Sequence, residues 1–254
     1  MQQSNTYIIT FSVILTVVLG LLLSGTSQVL GPMQKEAIEL DTKKQILGAV
    51  IPVEEIDVMK PEEVNQYYES HIASIVVDIN GEEITEQDGA PVTAENVDIA
   101  KNYKKPADKR LYPVFIYHEE GDKDKVQSYI FPLYGAGLWD AIWGYIALDT
   151  DMNTVGGITL AHAGETPGLG ARITESGVQS RFEGKSIYDE SGELVAVEMQ
   201  KGEGKDYSGN PHQVDGLSGA TITAKGVNSM LKNYLGYYES YIKSQKSSSQ
   251  VAVL

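Results

Sequence analysis

Residues 126–149 read VQSYIFPLYGAGLWDAIWGYIALD, and their reading decides the fold. VQSYIFPLY (126–134) and WGYIALD (143–149) are runs of β-branched, aromatic and other apolar residues, and the glycines at 135 and 137 break the chain between them. Such runs, bounded by turn residues, predict strands. The same pattern recurs in SIVVDI (74–79), YPVFIYH (112–118), GGITLAHA (156–163) and ELVAVEM (193–199). Helices are expected near 173–183 and from 223 to about 243. The fold class that follows is α+β, a largely antiparallel sheet packed by helices.

The last helix has the clearest pattern. Val227, Met230, Leu231, Tyr234, Leu235, Tyr238 and Tyr241 recur at spacings of three and four and give one apolar face. Its start is therefore held against the core. Just before it stands DGLSGATITAKG (215–226), in which Ser218, Thr221 and Thr223 lie among the small residues Gly219 and Ala220. One reading is a capped helix, with Thr221 or Thr223 as the cap and Gly219 making the turn. The other is a phosphate site, because a fixed helix start offers free N–H groups and partial positive charge. A nucleophilic triad is a poor alternative, since Ser218 lacks a G-x-S-x-G elbow. Asp215 reads as a turn former, with orientation of a hydroxyl or a metal as the sharper option.

A second candidate is GETPGLGAR (164–172). Its third fingerprint glycine would fall at Ile173, so a Rossmann dinucleotide site is not supported. A tight turn remains, either plain or able to bring N–H groups near a planar or anionic ligand. Tyr134, Trp139, Trp143 and Tyr145 cluster nearby in sequence; packing is the ordinary role for them. An apolar wall beside a flavin ring is the sharper possibility, with Trp139 the first residue to test.

The front of the chain is of another kind. YIITFSVILTVVLGLLLS (7–24) has no charge, and Lys35 is the first basic residue. Extended by its small polar flanks, it is just long enough to cross a hydrocarbon core of about 30 Å. It is expected to be an uncleaved transmembrane anchor (1–27), since the basic n-region of a signal peptide is missing and SGTSQ is a poor cleavage site. Charges on its two sides leave its orientation open. A connecting helix and linker (28–60) follow, then a folded domain (61–243) opened by a helix at Pro61, then the tail SQKSSSQVAVL (244–254), expected to be frayed or disordered.

Composition excludes several functions. A net charge of −15 argues against a nucleic-acid partner, which needs clustered Lys and Arg. With no cysteine, disulfides, thiol nucleophiles and cysteine-ligated metals are removed together. The four histidines are scattered and give no metal-ligand motif.

Taken in order, the anchor, GAGLWDAIWGYIALD, GETPGLGAR and DGLSGATITAKGV resemble the NqrC family of the sodium-translocating NADH:quinone oxidoreductase (Nqr), over nearly the whole chain. The resemblance implies FMN joined through its phosphate to the threonine of SGAT, here Thr221, by a separate flavin transferase that uses FAD. It also implies electron relay among the other members of a membrane complex, with the domain outside the cytoplasm and the anchor in the inner membrane lipid. Glu165, Thr166, Gly168, Leu169 and Gly170 would line the flavin, with Ser218, Gly219, Ala220 and Thr223 at the attachment point. The RnfG family of the related Rnf electron-transport complex shares the anchor and an SGAT-like motif. A membrane-tethered ligand-binding or sensor module is the rival of another class.

Overall fold

The computed structural model describes residues 4–87 and 89–251, with side chains up to residue 247. In chain order the elements are α1 (Asn5–Leu47), α2 (Val53–Asp57), α3 (Pro61–His71), β1 (Ile72–Val77), β2 (Glu86–Gln87), β3 (Ala90–Pro91) and α4 (Ile99–Tyr103). They continue as β4 (Tyr112–Glu119), β5 (Asp122–Ala136), β6 (Ala141–Asp149), β7 (Val155–His162), α5 (Ser176–Gln179), β8 (Glu198–Met199), β9 (Gln213–Val214) and α6 (Thr221–Val251). The chain divides into two compact units between Lys43 and Lys44: the first holds most of α1, and the second is the body.

The body is built on an antiparallel five-stranded sheet in the order β1-β4-β5-β6-β7. Cross-strand partners share a face. Phe131 pairs with Ile146 and Ile146 with Ile158, so these three point the same way, with Leu133 and Leu160 beside them. They pack with Val227, Leu231, Tyr234, Leu235 and Tyr238 of α6 in the main core. That stripe is the one the spacing of α6 predicts. Burial of each such side chain stabilises the fold by about 1.5–3 kcal/mol.

The opposite face carries Phe115, Ile130, Tyr145 and Thr159, and the chain from Gln45 onward meets it there. The Thr159 hydroxyl donates to the Gln45 carbonyl at 2.9 Å, and Trp143 Nε1 donates to Gln45 Oε1 at 3.1 Å. Helices therefore cover both faces of the sheet. Tyr145 is buried against Phe115, while Tyr134 packs on Tyr103, so these aromatic rings take packing roles.

Four sequence expectations are corrected. The anchor and the connecting helix are one continuous 43-residue helix, which runs through Pro32. The proline ring leaves the Gln28 carbonyl without its intrahelical donor, and the helix continues beyond it through MQKEAIEL (33–40), a run of mostly strong helix formers. The run 193–199 yields only the two-residue β8, paired in parallel with β9, because Ala196 adopts a left-handed backbone with φ of 60°. The segment 173–183 is not one helix but a series of short turns, 3-10 at Gly170–Thr174, α at Ser176–Gln179 and 3-10 at Ser180–Phe182. At the C-terminus α6 stays helical to Val251, beyond the expected end near 243; the rest of the tail lies outside the described residues.

Residues 7–30 of α1 expose Ile9, Leu21, Leu23 and Val29 at 64–72% of their surface. Among the described residues this is the one helix long and apolar enough to cross a membrane.

Candidate functional site

Antiparallel order places the β5–β6 connection and the end of β7 at the same edge of the sheet. The first is the turn Gly137–Asp140, closed by Gly137 N–H to the Asp140 carbonyl at 2.8 Å. The second is the loop 163–169, where the N–H groups of Leu169 and Ala171 both donate to the Thr166 carbonyl. The start of α6 lies over both. A Cβ on Gly226 would come within 2.4 Å of the Ala136 carbonyl, so only glycine lets helix and strand approach this closely.

Glu165 joins the three segments. It is 4% exposed, its Oε1 accepts the N–H groups of Leu138 at 2.8 Å and Trp139 at 3.1 Å, and its Oε2 accepts the Thr223 hydroxyl at 2.5 Å. Burial alone would raise its pKa. The hydrogen bonds from Thr223, Trp139 and Leu138 outweigh it and hold the carboxyl below the usual glutamate range. The Glu165 N–H donates in turn to His162 Nδ1 at 3.2 Å.

Thr223 therefore does not cap α6. The cap position belongs to Ala220, whose carbonyl accepts the first intrahelical bond from Ala224 at 2.9 Å and whose methyl has nothing to offer. The N–H groups of Thr221, Ile222 and Thr223 consequently have no partner among the described residues. Thr221 is half-buried, and its hydroxyl too has no partner among them. Gly219 turns the chain at φ of +74°, and a Cβ there would meet Leu169 Cδ2 at 2.8 Å; Leu169 thus lies directly over the loop. Gly168, also left-handed at +73°, makes its own turn in open space.

Trp139 Nε1 donates to the Thr166 hydroxyl at 3.1 Å, yet the indole is 70% exposed. It shares this exposure with Leu138, Leu169 and Ile222. Beyond α1, the exposed large apolar side chains among the described residues are these four and Val58. Four of the five therefore gather on the segments around Thr221, which is unusual for side chains whose burial is favourable.

The loop before α6 is held from its other side by charges. Arg172 makes a two-pronged bond to Glu203, at 2.9 and 2.8 Å, and Glu203 accepts the Ser218 N–H at 3.3 Å. Arg181 donates to the Gly216 carbonyl at 2.8 Å and approaches both Glu203 and Asp215. Asp215 accepts the N–H groups of Gly204 and Lys205, which makes it a clasp between loops. The Arg172 hydrogen bonds foremost, and then the Ser218 N–H, lower the Glu203 pKa to about 2.

The sequence-derived residues Trp139, Glu165, Thr166, Gly168, Leu169, Gly170, Ser218, Gly219, Ala220, Thr221 and Thr223 all lie in these three segments. Leu138, Ile222, Arg172, Arg181 and Glu203 escaped the sequence reading. Leu138 and Ile222 were legible as apolar residues at glycine-rich turns; Glu203 had no local signal.

Residues 137–236 match the FMN-binding domain family. The chain is 33% identical to the NqrC protein of the Na+-translocating NADH-quinone reductase of Yersinia pestis, over 88% of this chain and 86% of that one. With its counterpart from Pseudomonas aeruginosa it shares 32% identity, over 92% and 93%. The crystal structure of the same protein from Parabacteroides distasonis superposes with a TM-score of 0.68 at 37% identity, covering 84% of this chain and 96% of that one. On this identity, which extends over nearly the full length of the relatives, the chain belongs to the NqrC family of the Na+-translocating NADH-quinone reductase.

Proposed function

We propose that this protein carries FMN as a phosphoester on Thr221 and relays electrons within a membrane-bound, sodium-translocating NADH-quinone reductase. The observation that carries the reading is the unpartnered, half-buried Thr221 hydroxyl at an uncapped helix start, ringed by exposed Leu138, Trp139, Leu169 and Ile222. A phosphodiester keeps one negative charge, which free N–H groups at a helix start stabilise. The apolar side chains offer a flavin ring the surface that water leaves unfavourable.

Thr221 would be an acceptor, and a separate flavin transferase would do the chemistry. The Thr221 oxygen bonds to the FMN-side phosphorus of FAD, the pyrophosphate bond breaks, AMP leaves, and the hydroxyl proton passes to the transferase. Bound FMN supplies one- and two-electron redox chemistry, while the protein sets its place and surroundings. Trp139, Glu165, Thr166, Gly168, Leu169 and Gly170 on one side, and Ser218, Gly219, Ala220 and Thr223 on the other, form its proposed surroundings. NADH and quinone would react at other members of the complex. We place the anchor in the inner membrane with the domain on the periplasmic side.

The test is production of the chain with a flavin transferase. The expected result is in-gel flavin fluorescence and a mass gain of one FMN on the Thr221 peptide. Thr221→Ala should lose both and keep the fold; full flavin on that variant would refute attachment at Thr221.

A further inference from the structure

Three hydroxyls occur in this stretch, on Ser218, Thr221 and Thr223, and the structure sorts them. Ser218 is exposed in the loop ahead of the helix, where Glu203 holds its N–H. Thr223 is 1% exposed and its hydroxyl donates a hydrogen bond to Glu165. Thr221 precedes it by two residues, and positions two apart on an α-helix lie about 200° apart around the axis. Turning Thr223 inward therefore turns Thr221 outward.

What holds Thr223 inward is closely fitted. A Cβ on Gly137 would lie 2.4 Å from Glu165 Oε1. One on Gly170 would lie 2.5 Å from Oε2 and 2.4 Å from Thr223 Oγ1. Each carboxylate oxygen thus occupies space left free by a glycine, and Gly170 has no left-handed φ that would otherwise demand glycine. Its missing side chain serves the Glu165–Thr223 contact.

We infer that Glu165 is a positioning residue for flavin loading: by binding the Thr223 hydroxyl it sets the rotation of the first turn of α6, and so presents Thr221 as the acceptor. Oε1 meanwhile pins the Gly137–Asp140 turn, so the same carboxylate places Leu138 and Trp139 relative to that acceptor. The inference rests on the proposed loading of Thr221, and its test separates the two. Glu165 need not touch the flavin to act in this way.

The whole chain, purified in detergent, is incubated with flavin transferase and FAD, and the initial rate of flavin incorporation is read by mass spectrometry. Thr223→Ser keeps the hydroxyl and should load close to the wild-type rate. Thr223→Val, Glu165→Gln and Gly170→Ala should load at least about tenfold more slowly, as expected when a reacting group is misplaced by a fraction of an ångström or more. Cooperative melting of each variant shows that the fold is present. A variant that does not fold is set aside, and the serine–valine pair at 223 then decides. Equal rates for Thr223→Ser and Thr223→Val would overturn the inference, whether both are fast or both slow. If the wild-type chain itself does not load, the proposed function fails instead.

Discussion

At the scale of single residues, the site depends on partners far apart in sequence. A threonine in the first turn of a helix is equally readable as a cap or as a side chain turned back into the body. Thr223 takes the second role because its acceptor, Glu165, lies 58 residues away, and no local pattern announces that pairing. Thr221 and its small neighbours were legible for the opposite reason, since their chemistry is local. Arg172 carries a signal that is visible but mute: the sequence shows a basic residue after a glycine turn, but only the fold brings Glu203 to it. This ion pair makes an acid-dependence prediction. The folded pKa of Glu203, about 2, is below its ordinary value of 4.5, so its contribution to stability is complete above that ordinary value and is lost as pH falls through about 2. Melting temperatures should therefore decline as pH falls from about 5 to about 2.5. Arg172→Ala should make that decline shallower; an unchanged slope would show that the pair does not clamp the loop in solution.

At the scale of elements, strands β4 to β7 and α6 follow from periodicity, because each buries a regular set of side chains that sequence alone can count. The short turns between 170 and 182 do not, since they are fixed by what they pack on and not by a repeat of their own. Leu231 is fully buried where α6 crosses the sheet. Leu231→Ala should cost about 2–5 kcal/mol through lost burial and the cavity left behind, measurable by denaturant unfolding. A loss below about 1 kcal/mol would mean that α6 contributes little to the core. Helix α1 makes a different prediction, about sidedness. The chain has no cysteine, so Lys201→Cys provides a single exposed thiol on the body. A membrane-impermeant maleimide should label it in intact cells if the domain is periplasmic. Labelling that requires lysis would place the domain in the cytoplasm.

At the scale of the molecule, the four strands β4 to β7 are joined in sequence order, each to the next, while α6 comes from the far end of the chain to cover them. The α+β class and the sheet were legible because local patterns set them. The continuity of α1 through Pro32 was not, because a proline inside a helix ordinarily breaks or kinks it. The place of α6 also has a kinetic meaning. Neighbouring strands close short loops and pair early, whereas a helix that must return across the whole sheet adds its contacts later, and during synthesis it emerges only after every strand of that sheet. The hydroxyl of Thr221 acquires its setting only when that helix has docked. A flavin on this chain would then be a record that the helix had been made and had docked, and chains arrested before that point would remain uncoloured and distinguishable from those that had passed it.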